Sequence, residues 1–157
     1  MPQPTDESSS RCFELLLVED DPGDVLMTKE ALAEAGSALP KRHLHVASDG
    51  EEALDFLRRR GQHQDAPAPD LVLLDLNLPK INGQEVLAQV KSDPLLRRIP
   101  VVVLTTSDAE ADVLASYDHH ANAYVTKPGG FERFASAIAE VLHTFAEVAT
   151  PPPRVPR

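Results

Sequence analysis

The chain has 157 residues, with 25 acids against 15 bases and a formal net charge of −10. That length supports one ordinary domain and leaves no room for a second, effector domain, while the negative charge repels phosphate backbones and anionic lipid. Nucleic acid and membrane are therefore excluded as expected partners, and a basic protein surface is favoured. Neither a signal peptide nor a spanning apolar run is visible, and Cys12, the only cysteine, has no partner for an internal disulfide, so the chain is expected to be cytoplasmic and the thiol inert.

Residues 1–11 are polar and rich in Ser and Pro and are expected to be disordered, the folded unit spans 12–148, and 149–157 form a Pro-rich tail. The apolar run Leu15 to Val18 predicts a strand over 13–18 that stops at Glu19, Asp20 and Asp21. A helix over 24–35 follows, then a strand over 42–47 with His43 and His45 on one side. Ser48, three residues ahead of Glu51, caps a predicted helix over 50–60 whose last turn carries Arg58, Arg59 and Arg60 before Gly61. Beyond the polar connection 62–69, a strand over 71–75 ends in Asp75, and Asn82 with Glu85 caps a helix over 83–91. A strand over 100–105 ends in Thr105, Ser107 with Glu110 caps a helix over 108–117, and a strand over 122–126 stops before Lys127. The last helix, 131–147, carries Phe131, Phe134, Ile138, Val141, Leu142 and Phe145 at helical spacing.

Five strands alternating with five helices predict an open, doubly wound α/β sheet. In such sheets ligands collect outside the carboxyl ends of the strands, where this sequence puts acids, a hydroxyl and an ammonium. Acids crowded there need a cation, and hard oxygen donors without a Cys or His cluster suit magnesium, with Asp20 and Asp75 as direct ligands. A carboxylate beside a metal can also attack a phosphoryl group, with Lys127 and Thr105 complementing the phosphoryl oxygens.

Leu16-Leu17-Val18-Glu19-Asp20-Asp21, Leu73-Leu74-Asp75-Leu76-Asn77-Leu78-Pro79, Val103-Leu104-Thr105-Thr106-Ser107 and Ala123-Tyr124-Val125-Thr126-Lys127-Pro128 together resemble the receiver domain of two-component response regulators. The resemblance implies a flavodoxin-like five-stranded parallel sheet of order 2-1-3-4-5. It implies that Asp75 is the phosphoacceptor and that Mg2+ (or Mn2+) is held by Asp20, Asp75, the Asn77 backbone carbonyl and, through water, Glu19. Thr105 and Tyr124 resemble the switch pair and Lys127 the phosphate-binding lysine, with a cis bond before Pro128. Thr106 departs from the Ala, Gly or Ser common at its position, and its branched side chain would narrow access to Asp75.

Glu19-Asp20-Asp21-Pro22-Gly23-Asp24, the Leu104-Thr105-Thr106-Ser107 run and the aromatic last helix resemble, more closely, the stand-alone receivers of bacterial and cyanobacterial phytochrome histidine kinases. That subgroup implies a sensor kinase, a bacteriophytochrome, as phosphodonor, and a homodimer whose face would include Phe134, Ile138, Leu142 and Phe145. The expected function is that of a single-domain response regulator signalling through protein contacts, not an enzyme beyond its own Mg-dependent phosphorylation and dephosphorylation. The alternatives are an aspartyl-nucleophile phosphatase, which Asn77 disfavours because a general acid is needed at that position, and a phosphate-independent interaction module. Tyr124 remains open between switch residue and half-buried strand aromatic, and His119-His120 reads as a solvated helix end.

Overall fold

The structure, a computed structural model, describes residues 12–154; the expected disordered segment 1–11 and the tail's last residues, 155–157, lie outside the described residues. The strands are β1 (Phe13–Val18), β2 (Arg42–Ala47), β3 (Leu71–Leu74), β4 (Val101–Thr105) and β5 (Ala123–Thr126). Between and after them run α1 (Pro22–Ala35), α2 (Gly50–Arg58), α3 (Gly83–Ser92), α4 (Glu110–Asp118) and α5 (Phe131–His143). All strand pairs are parallel, in the order β2-β1-β3-β4-β5.

The continuous apolar runs lie where both faces of the sheet are covered. Leu15 to Val18, Leu71 to Leu74 and Val101 to Leu104 are all buried, whereas the edge strands β2 and β5 are mostly half-exposed. Leu16, Val18, Val72 and Leu74 face one core layer with Leu54, Phe56, Val86 and Val90 from α2 and α3. Leu15, Leu17, Leu73 and Val102 face the other layer with Leu32 of α1 and Phe134, Ile138 and Leu142 of α5.

That second layer corrects the expected dimer face. Phe134, Ile138 and Leu142 are 2%, 1% and 1% exposed and cover the chain's own sheet, while Phe145 is half-buried beside them. The physical reason is that α1 buries fully only Thr28, Ala31 and Leu32 and so covers only part of that face, and the large residues of α5 cover the rest.

Two helix starts differ from expectation. Asp49, not Ser48, caps α2 by accepting the Glu52 N–H at 2.7 Å, and the Ser48 hydroxyl donates back to the Glu52 carboxylate at 3.1 Å. Two adjacent residues can both cap, and the one in extended conformation directly before the first turn does so. Asn82 caps α3 through the Glu85 N–H as expected, but α4 begins only at Glu110, after Ala109, without a side-chain cap, because Ser107 lies two residues ahead of the cap position, where its hydroxyl accepts the Ala109 N–H at 3.3 Å and donates to the Asp112 carboxylate at 2.5 Å. At the other end of α2, Arg59 adopts the left-handed conformation (φ 55°) just ahead of Gly61 (φ 57°).

Beyond α5 the chain makes a wide turn over Thr144–Val148, leaves it through Ala149 in an extended conformation and returns without helix or strand to the amino end of the sheet. There Arg154 grips Asp70 with two hydrogen bonds, of 2.9 and 2.7 Å. The described part of the tail is thus anchored through Arg154.

Candidate functional site

Each strand that supplies the site stops where its apolar run stops, so its polar residue emerges at the same edge. β1 and β3 are held in register there by the Asp75 N–H donating to the Val18 carbonyl, and the Glu19 N–H donates to Ala47. The α3 start approaches the same loop so closely that a Cβ on Gly83 would lie 2.4 Å from the Asp75 carbonyl oxygen, which is why only glycine fits.

Glu19, Asp75 and Thr105 are 2%, 7% and 0% exposed. The Lys127 Nζ donates to Glu19 at 2.8 Å, to Asp24 at 2.8 Å and to Asp75 Oδ2 at 3.0 Å. Asp75 Oδ1 accepts the Asn77 N–H at 2.9 Å and the Thr105 hydroxyl at 3.3 Å. One ammonium therefore serves three carboxylates, whose oxygens lie within 4.8 Å of one another.

The charges settle unequally. Burial, and then the hydrogen bond shared with Asp75, push the Glu19 carboxyl up to about 8. Burial would raise Asp75 too, but hydrogen bonds from Glu19, Asn77 and Lys127 outweigh it and hold the carboxyl below its ordinary range. Of this coupled pair Glu19 is therefore the weaker acid and Asp75 the stronger. Burial pulls Lys127 down, yet the hydrogen bonds to Asp24, Glu19 and Asp75 win and raise it, so it stays an ammonium.

The structure brings Glu19, Asp75, Thr105 and Lys127 together and leaves other expected residues at the rim. Asp20 is exposed and outside the three-carboxylate group, and Asn77 and Thr106 are exposed as well. Asp24, which sequence reasoning left unassigned, takes the place beside Lys127. A signal for it existed: helical side chains lean toward the helix N-terminus, so an acid in the first turn of α1 reaches back over the strand ends.

Tyr124 is half-buried against the core, and its hydroxyl donates to the Ser107 carbonyl at 2.7 Å, bracing the loop after β4. No described peptide bond is cis, so the bond before Pro128 is trans, the ordinarily favoured form. Lys127 is aimed instead by its backbone N–H, which donates to the Thr105 carbonyl at 2.7 Å.

Hard carboxylate oxygens with no sulfur or imidazole among them fit Mg2+ or Mn2+, and the Lys127 ammonium stands among them as a built-in cation.

A parallel sheet of this order, with acids after β1 and β3, a threonine ending β4 and a lysine after β5, defines a receiver. The family model of the response regulator receiver domain matches residues 15–139, and the chain belongs to that family. It is 42% identical over 138 residues to the response regulator Rcp1 of Synechocystis, across 88% of this chain and 92% of that protein. The crystal structure of the phosphorylated cyanobacterial phytochrome response regulator RcpA matches with a TM-score of 0.84 at 44% identity, covering 90% of this chain and 99% of that one. The Mn2+-bound form of Rcp1 matches with a TM-score of 0.82 at 42% identity, covering 89% of this chain and 99% of that one. Among the described residues no helix is long and apolar enough to cross a membrane.

Proposed function

We propose that this receiver is the phosphoacceptor of a two-component phosphorelay, with Asp75 as the residue modified. An Asp75 oxygen attacks the phosphorus of a phosphohistidine on a sensor histidine kinase, the P–N bond breaks, and the imidazole leaves with the electron pair. One observation carries this reading: Asp75 is a buried carboxylate with an ammonium at 3.0 Å on one oxygen and a hydroxyl at 3.3 Å on the other, donors that favour its anionic form. Those groups already stand where phosphoryl charge would arrive, so they need little rearrangement to bind it.

Glu19, Asp24 and Asp75 would hold Mg2+ or Mn2+, with Asp20 and the Asn77 carbonyl reachable from the rim. Bound there, the cation neutralises charge on the transferred group. For its part the chain supplies Lys127 to the phosphoryl oxygens, and Thr105 turns its hydroxyl from Asp75 to the same group. Tyr124, linked to the β4–α4 loop through Ser107, transmits that movement to the surface. Thr106 at the rim restricts small phosphodonors more than a docked kinase.

The phytochrome relatives support a phytochrome-type kinase as partner, and a cytoplasmic location belongs to the same proposal. A homodimer would use the outer side of α4, where Leu114 and Tyr117 are 61% and 49% exposed, rather than the buried residues of α5. Incubation with Mg2+ and a phosphorylated phytochrome kinase should label the wild-type chain and leave Asp75→Asn unlabelled. Equal labelling of both would overturn the assignment of Asp75.

A further inference from the structure

The opposite end of the sheet gathers ligating groups that phosphoryl transfer does not use. Cys12 directly precedes β1 and Glu14 lies within it, and alternate residues of a strand share a face. The parallel register sets Glu14 beside His43 and Leu16 beside His45, which brings both imidazoles to that face. The Cys12 sulfur, a Glu14 carboxylate oxygen and a His43 ring nitrogen all lie within 4.8 Å of one another. Glu14 is buried, with His43 Nδ1 at 3.1 Å from one oxygen and His45 Nε2 at 2.6 Å from the other.

Two features set this cluster apart from an ordinary Glu–His surface pair. His45 is steadied by the Phe56 ring, with centroids 5.2 Å apart, so the Glu14 carboxylate is oriented from behind. The backbone carrying the other two groups is clamped as well. Arg154 donates to the Cys12 carbonyl at 2.7 Å while gripping Asp70, and Asp70 accepts the Glu14 N–H at 2.8 Å. The returning tail therefore fixes both ends of Cys12-Phe13-Glu14.

We propose that Cys12, Glu14 and His43 bind a zinc-class divalent cation, with His45 and the Arg154–Asp70 clamp as its outer support. One thiolate, one carboxylate and one imidazole suit zinc rather than magnesium, and a water completes four-coordination. Cys12 then has a function in place of the inertness its isolation suggested. The ion ties the start of β1 to edge strand β2, away from Asp75.

Cobalt(II) tests this on the full chain, because its thiolate charge-transfer absorption reports sulfur coordination that the all-oxygen group around Asp75 cannot give. Titrated in excess Mg2+, the wild type should show that band, saturating at one cobalt per chain and bleached by zinc. Cys12→Ser and His43→Ala should lose it and Asp75→Asn should keep it; His43 has a side chain 58% exposed, so its removal does not threaten the fold. Arg154→Ala, which removes no ligand, should weaken cobalt binding by about tenfold or more. Absence of the band, its survival in His43→Ala, or saturation at half a cobalt per chain with doubled mass would each overturn the site. Unchanged affinity in Arg154→Ala would overturn the role of the clamp.

Discussion

Asp70 and Asp75 bracket β3, one at each end, and their side chains are almost equally buried, at 6% and 9% exposed. Their surroundings differ in kind. Asp70 receives a two-pronged guanidinium and the Glu14 amide, donors fixed in place by a planar group and a strand. Asp75 receives an amide, a hydroxyl at 3.3 Å and a share of one ammonium that Glu19 and Asp24 also claim. An Arg fork saturates a carboxylate and makes it structural. A carboxylate that competes with two others for a compact lysine keeps lone pairs available to an incoming electrophile or cation, and burial equal to that of Asp70 does not alter this.

Removing the shared cation should break the comparison most severely. Lys127→Met leaves three acids facing one another, and loss of one partner of a buried charge network costs roughly 3 kcal/mol. Urea unfolding without Mg2+ should register that loss, and added Mg2+ should restore much of it. Phosphotransfer from the kinase should slow by about 100-fold or more, since a preorganised charge at the reacting group is gone. An unaltered transfer rate would remove Lys127 from the chemistry.

A milder disturbance is pH. Glu19 has a folded value of about 8 against an ordinary 4.5, so the folded state holds the proton more tightly than the unfolded one. The resulting stability is fully present below pH 4.5 and is lost as pH rises through 8. Unfolding free energies in Mg2+-free buffer should fall over that window by roughly 2 kcal/mol, less than the full shift implies because Asp24 leaves one side of the cluster open to solvent. Glu19→Gln, which keeps the neutral form, should flatten the slope, and so should saturating Mg2+. A slope that persists in Glu19→Gln would assign it to another group.

The same contrast explains what could be read from the residues alone. The strand ends were legible because each apolar run is short, continuous and stopped by a side chain whose chemistry differs from the others, so Glu19, Asp75, Thr105 and Lys127 fell into one place once the strands were parallel. Element order and most boundaries followed from the same alternation. Asp24 was not legible because its contribution depends on how a helical side chain leans, which spacing within the helix does not display. Phe134, Ile138 and Leu142 were misassigned for a related reason: a helical stripe states that a face is buried without stating against what, and here that face of the chain's own sheet is shared by α1 and α5. Asp70 and Arg154 lie 84 residues apart, and their pairing follows only from the path the tail takes after the turn at Thr144–Val148.

That pairing gives the smallest expected effect and the sharpest control. Asp70→Asn removes the charge that the Arg154 fork engages but keeps an oxygen able to accept the Glu14 N–H, so the buried strand amide stays satisfied. Stability should fall by about 1 kcal/mol, a modest figure because Arg154 stays one-third exposed to solvent and salt. Arg154→Ala should cost a similar amount, and the double variant little more than either, since both remove the same contact. Phosphotransfer to Asp75 should be unchanged in all three, because the fork acts at the amino end of β3 and the acceptor at its carboxyl end. If Asp70→Asn slowed transfer as Lys127→Met does, the two ends of the strand would be energetically coupled, and the division between a saturated, structural carboxylate and an available, reactive one would fail.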